Sequence, residues 1–121
     1  MTGVQTCALP ICSIEAKVVQ DADRLEAIGA VGLARCLMLS GAMGHSLYVE
    51  SDPFCENRTA DDRLSAVDHF FTKLMKIETL MQTESGRTEA RQRTKFLHSF
   101  LDELRREIAM QEGVSSNLHG I

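Results

Sequence analysis

The sequence predicts an all-α domain, and three observations carry that reading. Apolar residues recur at three- and four-residue spacing through three long stretches, the period of one helix face. No stretch shows the strict apolar–polar alternation of a half-buried strand. Clusters of Gly, Pro, Asp and Asn mark the longest interruption between the periodic stretches, as turn chemistry requires.

The first predicted helix spans residues 14–39. Ser13 is its N-cap, with Glu15 placed in the first turn to complement the helix dipole. Ile14, Val18, Ala22, Leu25 and Ile28 form an apolar stripe that Val19, Ala27 and Ala30 widen, which predicts burial over much of the surface. Gly29 and Gly32 interrupt the stripe, and each costs about 1 kcal/mol against Ala in a helix interior. They are read as points of close approach by another helix, with the pattern resuming through Val31, Leu33, Ala34, Leu37 and Met38 to a stop at Ser40-Gly41. A long loop, 41–60, follows. A second helix, 62–83, starts from a cap at Asp61 or Asp62 and carries Leu64, Val67, Phe70, Phe71, Leu74, Ile77 and Met81 on one face. After a short break at Thr83–Gly86, a third helix, 87–111, turns Ala90, Leu97, Leu101, Leu104 and Ile108 inward and a Glu- and Arg-rich face to solvent. The breadth of the apolar faces in the first two helices predicts an incomplete bundle, with partner helices missing.

Composition narrows the function classes. The chain has 121 residues, enough for one domain, and a formal net charge of −4. That charge, with no basic run, one Tyr and no Trp, gives neither nucleic acid nor an anionic membrane a footing. Cys7, Cys12, Cys36 and Cys55 contain no Cys-x-x-Cys pair and read as reduced thiols of a cytoplasmic protein.

Met1 to Ile11 has no charge, no helical period and no strand alternation. Its sequence, Met-Thr-Gly-Val-Gln-Thr-Cys-Ala-Leu-Pro-Ile, resembles the in-frame translation of a common sequencing adapter. Residues 1–12 are therefore read as a non-native leader, and 13–121 as the domain, with the natural protein expected to continue upstream.

One segment carries chemistry. Val18-Val-Gln-Asp-Ala-Asp-Arg-Leu-Glu-Ala-Ile-Gly-Ala-Val-Gly-Leu-Ala-Arg35 resembles a signature of small bacterial HD-domain metal-dependent phosphohydrolases. Downstream, Asp68-His69-Phe70 followed by Lys73-Leu74-Met75-Lys76 is similar to a later helix of the same proteins. The resemblance covers nearly all of residues 13–110. It implies an HD-type helical bundle and a divalent metal, Mn or Mg, held by a His, an adjacent His-Asp pair and a final Asp. That final Asp matches Asp23, in its Ala-Asp-Arg-Leu context. In such proteins the metal polarises a phosphoryl oxygen and activates a bound water. Asp21 is the competing ligand, though it points about 200° away around the helix.

No His-Asp dipeptide occurs anywhere in the chain, and Asp68-His69 has the reverse order. The resemblance places the missing ligands upstream of residue 13. One carboxylate does not hold a catalytic divalent metal, so the fragment itself is expected to hold none and to be inactive. His69 and Lys73 share a helix face and are either substrate-phosphate contacts or a packed His beside a solvated Lys. Arg24 and Arg35 are either bidentate phosphate donors or ion-pair partners of acids such as Glu26. The expected substrate is a small phosphate ester, foremost a nucleotide, and the exposed apolar faces are expected to favour self-association. The rival reading is a non-enzymatic helical module that associates through those faces.

Overall fold

The computed structural model describes residues 13–119, with side chains through residue 113. The described residues form four α-helices and one 3-10 helix: α1 (Ile14–Leu25), α2 (Gly29–Ala42), α3 (Ala66–Thr72), a 3-10 helix (Leu74–Leu80) and α4 (Glu84–His119). The all-α expectation holds. Among the described residues there is no strand, only a bridge between Ser46 and Ser65. The leader assigned to residues 1–12 lies outside the described residues.

The single helix expected over 14–39 is two helices bent by 55°. Glu26, Ala27 and Ile28 donate their amides to the carbonyls of Asp23, Arg24 and Leu25, tightening the last turn of α1 until it ends. Gly29 then takes a φ of +83°, a left-handed conformation that favours glycine. A Cβ there would lie 3.0 Å from the Arg93 side chain, whose guanidinium donates to the Leu25 carbonyl at 2.6 Å. A cation thus closes the carbonyl end of α1. Gly32 is close to the backbone of Ala27 in the same turn, so it serves the corner itself and not a crossing helix.

The second predicted helix is also divided. Ser65, not Asp61 or Asp62, is its N-cap: the Ser65 hydroxyl accepts from the Asp68 amide. At Lys73 the φ of −133° leaves the helical region, and the chain continues as a 3-10 helix to Leu80. The third helix starts three residues early, at Glu84, and takes in Gly86. The loop is longer than expected, reaching from Met43 to Ser65.

α4 is the spine, and α1, α2 and the 3-10 helix pack on it. The core joins Ile28, Leu33, Val67, Phe70, Leu74, Met81, Ala90, Leu97 and Leu101, with Phe54 inserted from the loop. Phe70 meets Phe100 at 5.8 Å between ring centroids, and Arg105 lies 4.1 Å over the Phe54 ring. No single described helix is long and apolar enough to cross a membrane.

Candidate functional site

α1 is docked by its polar side. Gln20 bonds Gln82, Asp21 reaches the start of α4, and Arg24 donates to the Leu80 carbonyl at 2.9 Å. Of the stripe expected to be buried, Ile14, Val18, Val19 and Ala22 face solvent instead, while Leu25 packs on the core and Ile28 lies inside it. Three long-range polar anchors outweigh a hydrophobic stripe for which the described chain has no partner.

The two acids of the motif part company. Asp21 is 2% exposed. Its carboxylate accepts from the Gln82 amide at 2.9 Å, the Thr83 amide at 2.8 Å and the Thr83 hydroxyl at 2.7 Å. It closes the amino end of α4, where backbone donors would otherwise be orphaned. Burial raises its pKa, and these hydrogen bonds more than offset that, so the net shift is downward. Gly86 is required here, since a Cβ would run into the Asp21 carboxylate. Asp23 sits on the opposite, exposed side of α1 beside Val19 and Ala22. Its carboxylate makes no hydrogen bond or ion pair among the described residues.

His69 and Lys73 converge on a residue that sequence reasoning assigned only to a cap. Asp62 accepts from the Thr72 hydroxyl and lies 3.3 Å from His69 Nδ1 and 3.7 Å from Lys73 Nζ. The Thr72 hydrogen bond, with His69 and Lys73 adding to it against desolvation, holds the Asp62 carboxyl below its usual range. Asp62 and His69 border a cavity of about 180 Å³ that Cys36, Met43 and His45 also line. Arg35 is exposed and lies 3.7 Å from Glu26, in keeping with the ion-pair alternative. Arg24 is committed to the Leu80 carbonyl, a role that spacing did not suggest.

A second network went unread in the sequence. Asp68 is fully buried and accepts from both Arg58 terminal nitrogens, at 2.6 and 2.9 Å, from the Asp61 amide and from the Ser65 hydroxyl. Burial opposes ionisation, but these donors hold the Asp68 carboxyl well below the usual carboxylate range. Nothing local signals it, because Arg58 and Asp68 are ten residues apart across an irregular loop.

No three His, Cys, Asp or Glu side chains among the described residues are placed to hold a metal ion together. Asp23 has no co-ligand within this set. The donors present among the described residues do not fit a divalent cation.

No family model matches the chain. The fold is that of HD-superfamily hydrolases: 80% of the chain superposes on such a hydrolase from Bacillus thuringiensis, with a TM-score of 0.69 and 36% identity, covering 47% of that protein. YpgQ of Bacillus subtilis is similar in sequence as well, 45% identical over 96 residues. Its crystal structure in complex with ADP matches 82% of the chain and 46% of its own length, with a TM-score of 0.66 and 43% identity. The chain spans about two fifths of YpgQ, 41% of its length.

Proposed function

We propose that this chain is the C-terminal part of an HD-type metal-dependent phosphohydrolase, and that by itself it does not hydrolyse. The whole protein would act in the cytoplasm on a nucleotide or related small phosphate ester, with Mn or Mg. The observation that carries this reading is the Asp23 carboxylate. It lies exposed on α1, unpaired among the described residues, inside the motif that resembles the metal-binding segment, in a fold shared with HD-superfamily hydrolases. The complex of YpgQ with ADP supports the nucleotide class by kinship. Asp23 would be one ligand of a set completed by residues this chain does not supply, while Asp21 keeps a capping role. His69 and Lys73, gathered on Asp62, would be substrate contacts only in the whole protein.

The test is direct. The chain is incubated with Mn²⁺ or Mg²⁺ and a panel of nucleotides, and released phosphate is measured. No release above buffer is expected, and robust metal-dependent release would overturn the proposal.

The outward apolar side of α1 favours a second reading, a non-enzymatic helical module. A self-sufficient module that associates through that side still melts in one cooperative transition. Aggregation without a cooperative transition argues for the first reading, in which the face belongs against missing helices.

A further inference from the structure

We propose that Asp62 is a positioning residue. It fixes the His69 imidazole with its proton on Nδ1, so that the nitrogen left for a ligand, Nε2, is a hydrogen-bond acceptor. This rests on the reading above in taking His69 as a substrate contact, and it narrows the kind of group that His69 takes.

Asp62 is not needed to start α3. Ser65 caps that helix, with its hydroxyl accepting from the Asp68 amide. The Asp62 carboxylate stands instead beside the last turn of α3, where His69, Thr72 and Lys73 share one face. An anion at the carbonyl end of a helix opposes the helix dipole, so side-chain donors have to hold it there. The Thr72 hydroxyl donates to Oδ1, while Oδ2 lies 3.3 Å from His69 Nδ1 and 3.7 Å from Lys73 Nζ. Nδ1 is thus the nearer donor to that oxygen, and the more distant ammonium adds charge.

The proton on the ring follows from the carboxylate. Asp62 is held in its ionised form by these neighbours. An ionised carboxylate only accepts, so the ring nitrogen that faces it carries hydrogen. In a neutral imidazole one nitrogen donates and the other accepts, and the hydrogen bond at one assigns the other. Nε2 therefore keeps its lone pair, and among the described residues nothing bonds it. The cavity that Cys36, Met43 and His45 line gives a ligand group room beside Asp62 and His69. The group that suits Nε2 has hydrogen to give, as a hydroxyl, an amine or a water does. A phosphate oxygen only accepts and suits Lys73, whose side chain is 66% exposed and carries donors alone.

The test uses the chain by itself, labelled with ¹⁵N in its histidine rings, with the nitrogen shifts read where the rings are neutral. Loss of signals in His69→Gln assigns His69, and His98, exposed on α4, is the internal reference. For His69, Nδ1 should show the shift of a protonated nitrogen and Nε2 that of a bare one. A proton on Nε2, or the same rapid mixture as in His98, would overturn the proposal before any variant at Asp62 is made. In Asp62→Ala the two His69 shifts should converge on those of His98. Asp61→Ala removes a carboxylate paired with Arg63 and should leave them in place. No movement in Asp62→Ala, or equal movement in both variants, would also overturn the proposal. Should Asp62→Ala fail to fold by circular dichroism, the parent spectrum decides. A role in stability alone would lower Tm without selecting a tautomer. The two readings fail separately, because the nitrogen shifts are independent of whether phosphate is released.

Discussion

Asp21 and Asp23 are two residues apart in one motif, and the fold gives them opposite fates. Which one faces inward depends on Gln82 and Thr83, about sixty positions away, so no reading of the motif alone could assign the buried one. Asp21→Asn keeps the shape but weakens three acceptor bonds at the start of α4. It should cost about 1–3 kcal/mol, the scale of a buried polar group left poorly satisfied. Asp23→Asn removes an exposed charge that has no partner among the described residues and should stay within about 0.5 kcal/mol of the parent. Urea unfolding of the two variants side by side checks both, and equal losses would contradict the assignment of Asp21 as the cap. The pH dependence has a fixed sign. The Asp21 pKa is lowered in the folded chain from 3.8, so its stabilisation is complete above that value and is lost as pH falls through the lower folded value. Between pH 5 and 3 the parent should therefore lose stability faster than Asp21→Asn, with the denaturant midpoint as the readout.

At the scale of elements, the helical stretches were legible in the sequence because the 3.6-residue period survives in each of them. Their breaks were harder to read. In the sequence Gly29 reads as a point of close approach within one continuous helix, since only Arg93, sixty-four residues on, supplies the donor that closes α1 there. The 3-10 segment after Lys73 retains the apolar spacing of a helix, so periodicity could not separate the two. Among the links that hold the 43–65 loop to α3 is the fork of Arg58 on the buried Asp68, with the Asp61 amide and the Ser65 hydroxyl completing the carboxylate's partners. Removing one side of such a pair leaves an uncompensated buried charge, so Arg58→Ala should destabilise the chain by about 3 kcal/mol. It should also open the loop to limited proteolysis. Arg58→Lys, which retains the charge but not the planar fork, should fall between the two. If both variants melt like the parent, the fork does not hold the loop.

At the scale of the whole molecule, the bulk of the core was foreseen: Val67, Phe70, Leu74, Met81, Ala90, Leu97 and Leu101 all lie inside. The inversion of α1 was not, and its cause is physical. Sequence periodicity reports which residues share a face, but not whether the rest of the chain can cover that face. Here the polar anchors determine the orientation, and the apolar side is left over. It follows that replacing outward apolar residues should not weaken the fold. Val19→Lys and Leu39→Lys sit at 67% and 60% exposure, on different helices of the open face. Each should change unfolding free energy by no more than about 0.5 kcal/mol, as surface substitutions away from special features do. Both should lower the binding of a fluorescent apolar dye and delay aggregation on concentration, because each interrupts the exposed patch with a charge. A fall in Tm of ten degrees or more in either variant would mean that the side chain is buried in solution, and that α1 and α2 present a different face from the one described.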